Sequence, residues 1–191
     1  MVDRSNLIIA DDGVARCGWV GNDPEYVRYH DDEWGFPLHG DQALFEKMSL
    51  EGFQAGLSWI TILRRRDGFR ELFHGFVPEL VAAMTPDDVE ALMLDERIIR
   101  NRAKIISTIS NAAIVTELPP GALDELVWSF APDRHQRPRS LADLPSSTAE
   151  STALSKALRG MGFGFVGPTT MYALMQSGGL VDDHLEGCFR A

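Results

Sequence analysis

Four residues at the two ends of the chain constrain its fold more than anything between them. Cys17 and His30 stand near the start with twelve residues between them, and His184 and Cys188 near the end with three residues between them. The second spacing is one helical turn and puts both side chains on a shared face. Two cysteines and two histidines in two pairs form the ligand set of a closed, tetrahedral, structural zinc site. The chain has only these two cysteines. They could instead close a very long disulfide loop, which a reducing compartment disfavours. The bland alternative, two buried thiols and two unrelated histidines, stays open on spacing alone. A bound metal would tie the N-terminal segment to the C-terminal one by coordination rather than by core packing. With four protein ligands and no open position, it would not be the catalyst.

Helical punctuation fills the interval. Asp23-Pro24-Glu25 is a helix start with Asp23 as N-cap and Pro24 at the first helical position. Asp41 opens a second helix that runs to Glu51, and Leu57 or Ser58 opens a third. Thr85-Pro86-Asp87-Asp88 is another capped start. Isoleucines 98, 99, 105, 106, 109 and 114 predict one long amphipathic helix from Glu96 to about Thr116. Leu123–Phe130 predicts a short helix and residues 131–145, with three prolines, a loop. Ser147 to Glu150 predicts a capping box for a helix ending at Arg159-Gly160, and Pro168 starts a last helix to about Ser177. No segment alternates with a two-residue period, so the expected class is all-α. Residues 1–15 show no period and read as a flexible extension. At 191 residues and 45% hydrophobic content, residues 16–191 can bury a core as one domain or as two helical lobes. A net charge of -10 excludes a generally polycationic binder, so any nucleic-acid contact needs a local basic patch. No apolar run approaches a membrane span of roughly 20 residues and no signal pattern opens the chain, which places it in the cytoplasm.

Leu50 to Trp59 concentrates chemistry. Glu51 follows a mostly apolar run, and a carboxylate there is costly to bury unless paired or awaiting a ligand. Gly52 and Gly56 flank Gln54-Ala55 and allow a sharp turn, and Trp59 offers a flat face. Carboxylate, small-residue turn and aromatic are the parts needed to hold a planar, electron-poor heterocycle. The alternative is a helix corner with Glu51 capping the next helix and Trp59 in the core. Trp19, Tyr26 and Tyr29 lie beside Cys17 and His30, either as ordinary core or as walls of a base pocket. Gly162-Phe163-Gly164-Phe165-Val166-Gly167 before Pro168 resembles a helix-hairpin-helix turn that grips a DNA phosphate without reading sequence. A plain glycine-rich turn fits equally well. Arg97, Arg100, Arg102 and Lys104, Arg64 to Arg66, and Arg134 to Arg139 are basic islands, read either as solvated faces or as one DNA-facing surface.

Arg16-Cys17-Gly18-Trp19, Tyr29-His30-Asp31, Leu50 to Trp59, and Asp183-His184 with Cys188 together resemble the bacterial DNA-3-methyladenine glycosylase I family, over nearly everything from Arg16 to Cys188. The resemblance implies a helix-hairpin-helix glycosylase fold with structural Zn2+ on Cys17, His30, His184 and Cys188. It makes Glu51, Tyr29 and Trp59 the residues that hold the excised base, with Trp19 and Tyr26 completing the pocket. Gly56 and Leu57 match the loop that enters the gap left by the extruded nucleotide, and Gly162, Gly164 and Gly167 match the hairpin. Two departures stand out: a longer extension before Cys17, and only three residues after Cys188, which would leave Cys188 more open to fraying.

The implied activity is base-excision repair of double-stranded DNA carrying alkylated bases, with free 3-methyladenine as product and a monomer as the expected state. Methylation at N3 makes the adenine cationic and a good leaving group. Glu51 would accept hydrogen bonds from it, Trp59 would stack on it, and water would attack the sugar. Related glycosylases place an Asp after the hairpin. Here Asp182 and Asp183 adjoin His184 and are expected to support the zinc shell. No lysine follows Lys156, which argues against a Schiff-base lyase. A zinc-pinned reader of damaged DNA that cuts nothing is the rival, and release of free 3-methyladenine separates the two.

Overall fold

The computed structural model describes residues 7–191. Ten α-helices account for its architecture: α1 Pro24–Asp32, α2 Asp41–Gln54, α3 Trp59–Leu63, α4 Arg66–Leu72, α5 Pro78–Ala82, α6 Pro86–Leu94, α7 Arg102–Thr116, α8 Ala122–Trp128, α9 Ala149–Gly160 and α10 Pro168–Ser177. The only sheet among the described residues pairs β1 (Leu7–Ile9) antiparallel with β2 (Ala15–Cys17), Leu7 opposite Cys17.

That hairpin corrects the expectation of an anchorless extension as far as residue 15; residues 1–6 lie outside the described residues. Its turn holds Gly13 at φ +76°, where a side chain would be strained, and the Val14 amide donates to Asp12 Oδ1 at 2.9 Å. Arg16 then bridges Asp12 and Asp31 from a buried position. Strands of three residues are too short to show alternation.

The capped starts at Asp23 and Thr85 form as expected. The Asp23 carboxylate accepts from the amides of Glu25 and Tyr26, and Thr85 and Asp88 make a reciprocal capping box. The box predicted at Ser147 sits one residue later, between Thr148 and Ser151. Asp41 does not cap its own helix; its carboxylate accepts from the amides of Gly121 and Asp124 and caps α8. The long helix predicted from Glu96 starts only at Arg102, because Asn101 takes the Lys104 amide and acts as N-cap.

One continuous core joins α2, α4, α7, α9 and α10, with Phe45, Phe53, Phe69, Phe73 and Phe76 fully buried. α2 runs through its middle and packs on α10 and α7. A smaller cluster of Cys17, Val20, Leu185 and Cys188 joins the two ends of the chain. Between them, Tyr29, Trp34 and Leu63 form a third cluster that Trp19, Tyr26 and Trp59 pack against. None of the described helices is long and apolar enough to cross a membrane.

Candidate active site and metal centre

Glu51 is an interior residue of α2, only 3% exposed, and so does not cap the following helix. It nevertheless lines a cleft of about 250 Å³ together with Trp19, Tyr26, Tyr29, Trp34 and Trp59. All five aromatic and acidic residues expected to form a base pocket therefore meet at one opening. The Tyr29 and Trp59 rings stand 5.5 Å apart at 40°, and the Ile60 amide donates to Tyr26 Oη at 2.9 Å, which fixes α3 against α1. Trp59 Nε1 is buried with no acceptor among the described residues.

Sequence reasoning missed several residues here. Lys47, one turn before Glu51, places Nζ 3.3 Å from Glu51 Oε1, 2.7 Å from Tyr29 Oη and 4.0 Å from the centre of the Trp59 ring. The i,i+4 spacing was visible; that the ammonium would be buried was not. Ser177 Oγ, at the end of α10, lies 3.1 Å from Glu51 Oε1. Gln54, three residues after Glu51 on α2, also lines the cleft, as do Trp34 and Gln176, which are brought there by packing between distant segments. Burial pushes the Glu51 carboxyl up, opposed by Lys47 and then Ser177, and burial pulls the Lys47 ammonium down against the attraction of Glu51.

Ala55 to Ser58 form an exposed turn between α2 and α3, with Gly56 at φ +85° and Leu57 42% exposed. The turn is held from below. Buried Lys104 on α7 donates from Nζ to the carbonyls of Phe53 and Ala55, at 2.8 and 2.7 Å.

Residues 161–167 turn the chain between α9 and α10. The Gly164 amide donates to Asn111 Oδ1 at 2.8 Å and the Gly162 amide to the Arg159 carbonyl at 3.0 Å, so neither faces outward as a free donor. Gly164 is needed instead for close approach: a Cβ there would lie 2.2 Å from Ser107 Oγ. The amides of Phe165, Val166 and Gly167 donate to no acceptor among the described residues, and Gly167 is the N-cap of α10. The basic islands are largely ion-paired: Arg64 with Asp23, Arg66 with Glu33, Arg97 with Asp95 and Glu71, Arg102 with Glu90, and Arg137 with Asp182.

Cys17, His30, His184 and Cys188 are all buried, with their candidate ligand atoms within 4.8 Å of one another. Cys188 Sγ lies 3.5 Å from His30 Nε2 and 3.8 Å from His184 Nδ1, and Cys17 Sγ lies 3.9 Å from His184 Nδ1. These separations suit the edges of a tetrahedron with metal bonds of roughly 2.0–2.3 Å. The far nitrogens are held: His30 Nδ1 lies 2.8 Å from Asp31 Oδ1, and His184 Nε2 3.2 Å from the Trp34 carbonyl oxygen. Such contacts set the tautomer that presents a lone pair inward. The two cysteines are free, and the Cys188 thiol is pushed down by Cys17, then by His184 and His30.

Asp182 and Asp183, expected to support the zinc shell, make no hydrogen bond to the ring of His184, although Asp182 Oδ1 accepts from the His184 backbone amide at 3.3 Å. Asp183 accepts from Tyr172 Oη and Gln176 Nε2 and pairs with His135, while Asp182 pairs with Arg137. The His184 ring instead rests on the Trp34 carbonyl oxygen. The C-terminal tail is also tied down: the Phe189 amide donates to the Ala15 carbonyl at 2.9 Å. The cluster and the cleft share a wall, since Trp19 packs on His30 (5.4 Å) and Trp34 on His184 (4.7 Å).

A family model described as Methyladenine glycosylase matches residues 19–191. DNA-3-methyladenine glycosylase 1 of Escherichia coli (strain K12) is 49% identical over 179 residues, covering 92% of this chain and 96% of that protein. A crystal structure of 3-methyladenine DNA glycosylase I superposes with a TM-score of 0.87 at 47% identity, over 91% of this chain and 98% of that one. A Staphylococcus aureus 3-methyladenine DNA glycosylase I, solved to explain 3-methyladenine recognition, gives 0.83 at 34% identity, over 91% and 95%.

Proposed function

The chain belongs to the methyladenine glycosylase family, and on that premise we propose that it repairs alkylated double-stranded DNA by hydrolysing the N-glycosidic bond of 3-methyladenine. The products are the free base and an abasic site, and the enzyme is a hydrolase without lyase activity. One observation carries the assignment of roles: Glu51, Tyr29, Trp59, Trp19 and Tyr26, scattered over forty-odd residues, line a single cleft.

In this reading the nucleotide is extruded from the duplex and its base enters the cleft. Tyr29, Trp59 and Trp19 supply apolar and π surface, and Glu51 accepts hydrogen bonds from the base edge, where a charged acceptor strengthens each bond. The methyl group fixes positive charge on the base, so the C1′–N9 bond breaks with its electron pair moving onto the ring. Water adds to the oxocarbenium-like C1′ and loses a proton. Neither Asp182 nor Asp183, both engaged elsewhere, is needed for this step.

The exposed Gly56-Leu57 turn supports the role of a wedge that fills the gap in the stack. At the hairpin, the phosphate grip falls to the amides of Phe165, Val166 and Gly167 at the N-terminus of α10, where the helix dipole also favours an anion, while Gly162 and Gly164 shape the turn. This is a helix-hairpin-helix arrangement, and residues 16–191 form the glycosylase unit with the base cleft between two helical lobes. Zn2+ on the Cys17, His30, His184 and Cys188 cluster has a structural role, holding the Trp19 and Trp34 walls. We place the protein, as a monomer, in the cytoplasm, where its cysteines stay reduced.

Replacing Glu51 with Gln keeps the shape and removes the charge. Loss of about 1.5–3 kcal/mol from charge-assisted hydrogen bonds corresponds to excision of 3-methyladenine slower by about 10- to 160-fold. Unchanged release of the base by Glu51→Gln would remove Glu51 from recognition.

A further inference from the structure

A carboxylate intended to meet a cationic base should not already be neutralised, yet Glu51 has a resident partner. Lys47 reaches it without lining the cleft: it lines a separate cavity of about 300 Å³ bounded by Tyr29, Glu33, Trp59 and Arg66, which Glu51 does not line, while Glu51 lines the cleft. The Tyr29 and Trp59 rings border both. Lys47 therefore leaves the base side of Glu51 open.

We propose that Lys47 is a positioning residue: its ammonium, anchored on the Tyr29 hydroxyl and the Trp59 face, keeps Glu51 ionised and oriented toward the cleft before any base arrives. The inference rests on the reading that Glu51 receives the base. Its physical basis is the cost of a lone buried carboxylate, which escapes by taking up a proton unless a cation stands next to it. Apart from Lys47, the groups facing Glu51 are hydroxyls, Tyr29 from α1 and Ser177 from α10. The other charges near Lys47 are Glu33 and Arg66, which pair with each other. Lys47 is thus the one cation within reach of Glu51 among the described residues. Burial already pushes the Glu51 carboxyl up with Lys47 present, and without it the carboxyl would titrate higher still.

The test is the pH profile of kcat/KM for 3-methyladenine release by wild type, Lys47→Met and Lys47→Arg. The methylated nucleotide carries a fixed charge, so an acid limb belongs to the enzyme. Methionine keeps the unbranched stem and drops the charge. With the Glu51 value raised, less carboxylate survives at a given acidic pH, so the Lys47→Met limb should move up by about one pH unit or more. Lys47→Arg should restore the original limb. Superimposable Lys47→Met and wild-type profiles, with no change in the carboxyl titration below, overturn the proposal.

A second measurement, the carboxyl-carbon NMR titration of Glu51 in wild type, holds even if Lys47→Met folds poorly. A carboxyl that stays protonated above neutral pH beside Lys47 overturns the proposal directly. A titration that moves in Lys47→Met while the excision profile stays put supports the hold of Lys47 on Glu51 and removes Glu51 from base recognition, which is the separate failure of the reading above.

Discussion

Gly164 is fixed by contact, not by backbone conformation. A Cβ at that position would stand 2.2 Å from Ser107 Oγ and 3.3 Å from its Cβ on α7. Gly164→Ala therefore forces the hairpin away from α7 and strains the paired hydrogen bonds between Gly164 and Asn111. The expected cost is about 1–3 kcal/mol, as for other overpacked sites, seen as a melting temperature lower by roughly 2–4 °C for each kcal/mol in a chain of this size. Ser107→Ala removes the closest atom, so the Gly164→Ala/Ser107→Ala double variant should recover part of the loss, and a strictly additive double variant would show that the contact is not the cause. The glycine pattern announced a turn in the sequence, but its partner on α7 was invisible there. The same holds in the cleft. Glu51 and Trp59 stood out as a carboxylate ending an apolar run and an aromatic just beyond it, while Tyr29 was singled out by the family resemblance. Lys47 was not, because lysine ordinarily reads as surface and only the fold shows it covered by two aromatic rings.

Among the elements, α2 and the turn after it depend on a lysine that read in sequence as part of a basic island, either a solvated face or a DNA-facing surface. Lys104, grouped by sequence with Arg97, Arg100 and Arg102, is buried and occupies the carbonyls of Phe53 and Ala55 at the C-terminal end of α2. A helix end leaves carbonyls without intrahelical partners, and a cation there also complements the dipole. Lys104→Met keeps the stem and leaves two carbonyls short of a donor, at a cost of about 1–3 kcal/mol. The expected signature is local: amide exchange at Ala55 to Ser58 should quicken relative to the α9 interior, and excision from duplex DNA should fall more than excision from single strands, where no gap has to be filled. Equal exchange rates in both proteins would refute the strut. Helix starts with two coincident signals, Asp23 with Pro24 and Thr85 with Asp88, could be read to the residue. Pro168 alone marked the start of the last helix, but the reading slipped at Ser147, where Thr148 takes the cap, and at Asn101, whose side chain cuts short a helix that the isoleucine spacing would have continued. The β1–β2 hairpin offered three residues per strand, too few to alternate, and its one signal, the Asp12-Gly13 turn, does not by itself specify strands.

At the scale of the whole molecule, the two chain ends are joined by one small cluster, and most of the core does not depend on it. Cys17 and Cys188 pack with Val20 and Leu185 in their own buried group, separate from the core around Phe45, Phe53 and Phe69. The two Cys/His pairs were visible in the sequence, with a metal as one reading of them, but their supports were not: Asp31 had no visible link to Arg16, and the Trp34 contact is a backbone carbonyl that no residue type advertises. This division predicts what metal removal does. Without a metal, two histidines and two thiols remain buried side by side, and the β1–β2 hairpin, Trp19 and Trp34 lose the point that holds them to the C-terminal segment. Cys188→Ser, or stripping with a strong chelator, should release one equivalent of zinc per chain by elemental analysis. A loss of about 3 kcal/mol would lower the melting temperature by roughly 6–12 °C, while the helical circular dichroism at low temperature stays nearly intact because the main core is untouched. Excision should weaken through the cleft wall and not through the chemistry, so KM should rise more than kcat falls. A purified protein that binds no zinc, or one whose melting is the same with and without it, would leave the cluster as buried packing and return the positioning of Trp19 and Trp34 to the helices alone.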